Sequence, residues 1–353
     1  MIITEFLEKS WNHTAHDQPT AIKNTLLWLE ENIKNIDISP DNINRVFLVG
    51  CGDSYFVALF GMYLFEKILK ISSLAENAYE FLTYRKSIGK NDLVMAISAS
   101  GRTSKTYSAA KYAKSKQAKV IALTNFENSP LAKISDHKLL TRVKNPFGPP
   151  TTTSTTALIA LLYFTDYLSL SSTNIIKTLE AMPSNLKKFI DDVMDDIDTL
   201  SKLIAKHNRI YFIGAGPNYS TALFGMAKFR EVAWYHSIAF EAEEFVHYGM
   251  ISIGKDDIIV LIANDIDSYK KIKEINNALH QIGSSNIIIT NNREIFEQNH
   301  IISLPEKDCF VSQIYSLIFL QLLALKTAMV KNLSVNNFRY GELLSKLIGY
   351  IEK

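Results

Sequence analysis

The sequence has few cysteines and little net charge, and each shortage excludes a class of protein. Its two cysteines, Cys51 and Cys309, form no Cys-x-x-Cys pair and no disulfide framework, which predicts a reducing, cytoplasmic location. A formal net charge of +2, without a basic patch that contains aromatic residues, argues against a nucleic-acid partner. The eight histidines lack His-x-His or His-x-x-x-His spacing, so we expect neither a metal nor another cofactor.

Long apolar runs are also missing. The longest, Ile314–Leu325, is interrupted by Ser and Gln and is shorter than the roughly 20 residues of a membrane span, so no membrane partner is expected. Residues 1–14 contain early acidic side chains and no apolar core, which argues against a signal peptide. The 353 residues, 47% of them hydrophobic, are enough for two globular domains.

A duplicated segment is the most informative feature that is present. Residues 45–62 (RVFLVGCGDSYFVALFGM) return as residues 209–226 (RIYFIGAGPNYSTALFGM) at a constant offset of 164, with nine of 18 positions identical. Each copy has an apolar β-branched run, a Gly-x-Gly turn and an amphipathic stretch, as in a βα unit. The third glycine of a dinucleotide-binding fingerprint is replaced by Tyr55 and Tyr219. We therefore predict two α/β copies of one fold, each with a parallel sheet between helical layers.

The pattern along the chain predicts five segments. They are N-terminal helices over 1–38, a first domain over 39–172, a helical connector over 173–207, a second domain over 208–335 and a C-terminal tail over 336–353. Strands are predicted at Val46–Val49, Leu93–Ile97, Val120–Thr124, Ile210–Ile213, Ile258–Ile262 and Ile287–Thr290. Long helices are predicted at Ala157–Leu170 and Phe310–Val330.

Hydroxyl-rich turns distinguish the first copy from the second. Ser98–Ser104 follows a predicted strand, a second cluster lies at 149–156 (PPTTTSTT), and Ser54 stands at a helix start. We expect them to converge at the carboxyl ends of the strands. Hydroxyls and N–H groups at helix starts suit a phosphate dianion, whereas Asp265 and Asp267 in the second copy would repel one. Ordinary helix capping is the alternative interpretation.

The second copy supplies the titratable groups. Lys228 and Glu231 are three residues apart and therefore share a helical face. His247 lies about one turn after Glu243 and Glu244, as a candidate acid–base group would. The alternatives are a surface ion pair for the first set and a capped histidine on a helix face for the second.

Together these segments resemble the tandem SIS (sugar isomerase) domain family, in particular the isomerase half of glutamine–fructose-6-phosphate aminotransferase. Where that family reads roughly CGTSY and SQSGET, this chain has CGDSY at 51–55 and SASGRT at 98–103. Further matches are EFLTYRKS at 80–87, TSTTA at 153–157, MAKFREVAWYHSIAF at 226–240 and VHYG at 246–249. The resemblance covers most of residues 45–340 in order and implies two SIS domains, each a three-layer αβα sandwich.

The resemblance implies a role for each matching residue. The sugar phosphate would be bound by Ser54, Ser98, Ser100 and Thr103, with Ser154 near the reactive end of the sugar and Arg339 in the tail. Glu231 would move a proton between C1 and C2, and Lys228 would share its site. His247 would help to open the sugar ring from the neighbouring subunit, which implies a homodimer with a shared active site.

Departures from the family pattern limit the expected reaction. The sequence holds no glutaminase domain, and Ala99, Arg102 and Thr156 replace the family's Gln, Glu and Lys. The tail lysine that forms a Schiff base aligns with Leu343; whether Lys346 replaces it stays open. We expect no glutamine-dependent amidotransfer. We expect an isomerase, deaminase or deglycase that acts by 1,2-proton transfer on glucosamine 6-phosphate, fructose 6-phosphate or a fructosamine phosphate. The alternative is a non-catalytic sugar-phosphate sensor.

Overall fold

The chain divides into two compact units in a computed structural model. The structure describes residues 11, 13–144, 152–169, 174–297, 300–333 and 339–351. The first unit comprises residues 18–183 and 340–353, and the second comprises 184–339 with the described part of the first 17 residues. Each unit contains one five-stranded parallel sheet and its own helices, which confirms the predicted fold class. The predicted domain boundaries remain predictions.

The sheet of the first unit has the strand order β2-β1-β3-β4-β5. The strands are β1 (Arg45–Gly50), β2 (Ser73–Asn77), β3 (Asp92–Ile97), β4 (Lys119–Thr124) and β5 (His137–Leu140). The helices are α1 (Gln18–Asn32), α2 (Asp53–Leu69), α3 (Ala78–Tyr84), α4 (Ser104–Ser115), α5 (Pro130–Ile134) and α6 (Thr152–Ser169). Residues 149–151 of the predicted hydroxyl cluster lie outside the described residues.

The sheet of the second unit repeats this topology as β10-β9-β8-β6-β7. Its strands are β6 (Arg209–Gly214), β7 (His236–Glu241), β8 (Ile258–Ala263), β9 (Ser285–Thr290) and β10 (Ile301–Ser303). The chain enters this unit through α7 (Ile175–Asp192). The further helices are α8 (Met194–Ile204), α9 (Pro217–Ala233), α10 (Ala242–Glu244), α11 (Ile266–Ile282) and α12 (Cys309–Val330), and α13 (Gly341–Ile348) returns to the first unit.

All six predicted strands are present, and they are the inner strands of the two sheets. The prediction of three strands a copy was wrong for the edges, because it missed β2, β5, β7 and β10. The inner strands β3 and β8 are buried at all six positions. Strands that are covered on both faces need apolar residues throughout, and this is why each appears in the sequence as a continuous apolar run. The edge strand β7 (HSIAFE) has a single buried position and contains His and Glu, so it gives no such run.

Helix α12 is the apolar helix at the centre of the second unit. It spans 22 residues, which confirms the helix predicted at Phe310–Val330 to within one residue. By length and composition it could cross a membrane, which the shorter apolar run Ile314–Leu325 alone did not indicate. Its most apolar window is 89% buried inside the protein, as is typical of a core helix in a globular domain. Among the described residues, it is the single helix that passes this test.

The first βα turn has the same geometry in both units. Gly52 and Gly216 have φ of +57° and +55°, a region that favours glycine, and each helix begins at the next residue. Helix α2 therefore begins at Asp53 and carries Ser54 in its first turn.

Candidate functional site

The turn between β3 and α4 holds three of the predicted phosphate-binding hydroxyls. Ser98 Oγ and Thr103 Oγ1 lie 3.1 Å apart, and Ser100 Oγ accepts a hydrogen bond of 3.2 Å from the Arg102 N–H. Thr103 is the N-cap residue of α4, yet within the described chain its hydroxyl caps no N–H group of that helix. Ordinary capping therefore does not account for the Thr103 hydroxyl.

Glycine is required inside this turn. Gly101 has φ of +61°, and a Cβ at that position would come within 2.1 Å of Ser129 Oγ and 2.9 Å of Thr124 Oγ1. The turn therefore packs directly on the residues that follow β4. This close approach is specified by one residue, the glycine of the SASGRT motif.

The C-terminal tail pairs with the same turn. The Ser104 N–H donates to Gly349 O at 3.1 Å, and the Ile351 N–H donates to Arg102 O at 2.9 Å. The Arg102 guanidinium also donates to Ile351 O at 3.2 Å. One N–H group at the start of α4, that of Ser104, is therefore occupied by the tail.

A cavity of about 70 Å³ lies beside this turn, at the carboxyl ends of β3 and β4. It is lined by Asp53, Ser54, Val57, Ile97, Ala99, Leu123, Thr124, Thr141, Thr153, Ser154 and Ala157. The structure thus brings Ser54 and Ser154 together with the ends of the predicted strands. Ser154 Oγ donates to Asp53 Oδ2 at 2.9 Å. Sequence reasoning missed Asp53, and the signal was the Asp of CGDSY, where the family has Thr.

The equivalent turn of the second unit is occupied by a carboxylate. Asp265 is the N-cap residue of α11, and its side chain accepts from the N–H groups of Asp267 (3.0 Å) and Ser268 (3.2 Å). Asn218 Nδ2 donates to the second carboxylate oxygen at 2.7 Å. The groups that would bind an anion here are therefore already bound to an anion of the chain itself.

Lys228 and Glu231 form an ion pair on α9, with Nζ and Oε2 2.6 Å apart. The Lys228 side chain is 1% exposed and that of Glu231 is 24% exposed. A surface ion pair is thus the wrong interpretation, because a lysine is almost never buried to this extent without a specific reason. The Glu231 side chain is therefore partly exposed to solvent.

His247 and Arg339 lie elsewhere in the second unit. His247 is 68% exposed on the π-helical turn Phe245–Gly249, and its Nε2 lies 3.3 Å from Glu243 Oε1. A hydrogen bond from Lys271 lowers the pKa of the Glu243 carboxyl below its ordinary value. The Arg339 guanidinium stacks on the Trp234 ring at 4.3 Å. No group of three or more potential metal ligands occurs in the portion of the chain that the structure describes.

A family profile described as the SIS domain matches residues 41–165 and again 203–331. The chain belongs to the SIS domain family. An isomerizing glutamine–fructose-6-phosphate aminotransferase from Caldanaerobacter subterraneus is 31% identical over 284 residues, covering 74% of this chain and 46% of the relative. The corresponding protein of Clostridium acetobutylicum is 28% identical, covering 92% and 56%. The chain thus spans about half the length of these relatives.

Solved structures share the fold of this tandem SIS chain. The C-terminal domain of glucosamine-fructose-6-phosphate aminotransferase from Francisella tularensis has a TM-score of 0.81 at 23% identity, covering 91% of this chain and 96% of its own. Tagatose-6-phosphate ketose/aldose isomerase from Escherichia coli has a TM-score of 0.78 at 16% identity, covering 93% and 94%. The first SIS domain therefore carries the hydroxyl turn and the cavity, and the second SIS domain carries the buried ion pair.

Proposed function

We propose that the chain is a phosphosugar isomerase, or a deaminase or deglycase of amino sugar phosphates, that acts on a hexose 6-phosphate or its amino derivative. The buried Lys228–Glu231 pair is the observation that carries this proposal. Burying the Lys228 ammonium is costly, and removing its carboxylate partner would leave an uncompensated buried charge. Such pairs are retained at sites where a charge is used, which favours an enzyme over the alternative of a sugar-phosphate sensor.

Glu231 is the proposed base. Its carboxylate takes a proton from C2 of an open-chain aldose, or from C1 of a ketose, which forms an enediol or enolamine, and the same group returns the proton to the other carbon. In a hexose phosphate the carbonyl thereby moves between C1 and C2. Where the substrate carries an amine, the step leaves an imine, which water hydrolyses to a carbonyl with release of ammonia or the amine, so water is the co-reactant and no redox partner is needed. Lys228 holds the carboxylate in one orientation through the 2.6 Å contact.

The phosphate is proposed to bind at the hydroxyl turn of the first SIS domain. Ser98, Ser100 and Thr103 supply hydroxyls there, and Ser54 adds another beside the cavity. Ser154 is proposed to lie near the reactive end of the sugar. Arg339 is proposed to contact the substrate after leaving the ring of Trp234.

His247 is proposed to open the sugar ring from a neighbouring subunit. Its imidazole is 68% exposed and meets a carboxylate on its own chain, so it is available to a second copy. The proposal therefore includes a homodimer with a shared active site. A cytoplasmic location is part of the same proposal, since hexose phosphates are metabolic intermediates.

The test is a panel of hexose phosphates incubated with the protein in D2O. Proton NMR would follow deuterium entering at C1 and C2, which reports the shared half-reaction whatever the final product. Exchange with at least one sugar phosphate is the expected result. Binding of a sugar phosphate without exchange at either carbon would favour the sensor instead.

A further inference from the structure

The cavity of the first SIS domain is lined by hydroxyl groups and one charged side chain. Of the 11 described residues that line it, Asp53 alone has an ionisable acidic or basic side chain. The other polar lining groups are the hydroxyls of Ser54, Thr124, Thr141, Thr153 and Ser154. The lining thus offers one negative charge and several hydroxyls, and no cation.

The Asp53 carboxylate is held in place by a second helix. Ser154, 4% exposed at the start of α6, donates its hydroxyl to Asp53 Oδ2 at 2.9 Å. A fixed carboxylate attracts a cation and repels an anion. A phosphate dianion therefore belongs at the outer hydroxyl turn, and this cavity suits a positively charged donor.

An acidic residue in the first turn of a helix often only complements the helix dipole. The second SIS domain shows that this helix start does not require one. Helix α9 begins after Gly216 with the same positive φ as Gly52, and Pro217 stands in the position of Asp53. Asp53 also reaches across to α6, which a residue that serves only its own helix would not do.

We propose that Asp53 binds the ammonium group of the substrate, so that the substrate class is an amine-bearing sugar phosphate. The inference rests on the proposed function, since it names which of the candidate sugar phosphates that site takes. A cavity of about 70 Å³ has room for a group of a few atoms, such as the amine-bearing end of a hexose. Asp53 is then the specificity residue, and the neutral ketose and aldose phosphates are the poorer ligands.

The experiment compares matched sugar phosphates that differ by one amine. Glucosamine 6-phosphate is paired with glucose 6-phosphate, and fructosamine 6-phosphate with fructose 6-phosphate. Thermal-shift titration with ligand in large excess gives the dissociation constants, because turnover then barely depletes the ligand. The variants are Asp53→Asn, which removes the charge at nearly constant shape, and Asp41→Asn, the same change at an exposed site of the same unit.

In the unmodified protein, the amine-bearing member of at least one pair should bind at least about tenfold tighter. Asp53→Asn should reduce that ratio below about twofold, and Asp41→Asn should leave it unchanged. Equal affinities within both pairs, a ratio that Asp53→Asn does not change, or no binding of any sugar phosphate would each overturn the inference. Deuterium exchange is read separately: exchange without an amine preference refutes Asp53 alone, and an amine preference without exchange refutes the proposed reaction alone.

Discussion

The turn after β3 and the turn after β8 occupy equivalent places in the two SIS domains, but their polar groups are satisfied in different ways. In the second domain, the Asp265 carboxylate caps α11 and accepts from Asn218. In the first, Thr103 bonds to Ser98 instead of capping α4. A helix N-terminus suits an anion, and in the second domain that anion is a side chain of the protein itself, so the difference supports the proposal that the phosphate binds at the first domain.

The surrounding frame has changed much less than the turns. Arg45 pairs with Asp92 at 2.8 Å, and Arg209 pairs with Asp257 at 2.7 Å, each at the amino end of its sheet. By the register of these strands, Asp257 corresponds to Asp92, while Ser100 and Asp265 both lie in the turn that follows. The duplication thus preserved the structural ion pair and altered the polar residues of the turn.

The first helices of the two domains differ in the opposite sense. At the constant offset of 164, Lys228 and Glu231 of α9 correspond to Leu64 and Lys67 of α2. Leu64 is fully buried as an ordinary core residue, and Lys228 is buried to the same degree as an ion pair. Acid–base chemistry is therefore expected from the second domain and anion binding from the first.

The largest expected effect tests the assignment of acid–base chemistry to the second domain. Glu231→Gln keeps a hydrogen-bond acceptor for Lys228 but removes the base, so exchange at C1 and C2 should fall by about 10²–10⁴-fold. This equals roughly 3–5 kcal/mol of activation free energy. NMR exchange rates in D2O are the measurement.

The matched control for that change is Glu274→Gln, an exposed glutamate on α11 of the same unit. It should leave the exchange rate unaltered. Sugar-phosphate affinity should change by no more than a few-fold in either variant. If Glu231→Gln retained more than about a tenth of the exchange rate, Glu231 would be only the partner of Lys228.

The next prediction gives the turn after β3 a carboxylate, as the turn after β8 has. Ser100→Asp introduces a carboxylate into this turn, as Asp265 does in the turn of the second domain, and it can still accept the Arg102 N–H. Repulsion of about 4 kcal/mol at an effective dielectric of 20 should weaken sugar-phosphate binding by at least about 100-fold. Isothermal titration would measure it.

Ser100→Asn is the control, because it has the shape of the aspartate without its charge. We expect it to cost less than about tenfold in affinity. Equal losses for the two variants would mean that shape, and not charge, limits this turn. Phosphate density at residues 263–268 of a soaked crystal would contradict the division between the two domains.

A smaller effect concerns stability in the second domain. Asp265→Ala removes the cap of α11 and leaves the buried Asn218 amide without this acceptor, which should cost about 1–3 kcal/mol. Thermal unfolding followed by circular dichroism should show a lower midpoint. Asp265→Asn retains the capping oxygen, and once the Asn218 amide turns its oxygen toward the new NH2 group the variant should cost less than Asp265→Ala; an equal loss in both variants would indicate that the carboxylate itself is required.

The sequence specifies the inner strands and the duplication because burial on both faces requires continuous apolar residues. Leu93–Ile97 lies within β3, and Ile258–Ile262 lies within β8. Edge strands such as β2 (SLAEN) have one unpaired side and mixed residues, so no apolar run marks them. Their pairing is decided by the neighbouring strand and not by their own composition.

The parts of the candidate site differ in the same way. Hydroxyls at helix starts could be predicted, since they are local features of Ser98–Ser104. The burial of Lys228 could not, because it depends on the packing of α9 within the domain. The pairing of Asp53 with Ser154 joins residues 101 positions apart, and only the folded sheet brings them together.

The smallest expected effect concerns Lys346, the nearest substitute for the missing Schiff-base lysine. Lys346 and Leu343 lie three residues apart on α13, about 4.5 Å along the axis, and Lys346 is exposed to solvent. Lysines that form Schiff bases are desolvated or placed beside another cation, so a hydrated ammonium is a poor nucleophile. Lys346→Met should therefore change the exchange rate by less than about twofold, as should Lys273→Met on the exposed side of α11.

Borohydride reduction in the presence of fructose 6-phosphate, followed by mass spectrometry, should find no adduct at Lys346. An adduct there would assign covalent chemistry to the tail of the first unit. An adduct at Lys228 would instead show that Lys228 acts as a nucleophile. It would then contradict the assignment of Glu231 as a base that this lysine orients.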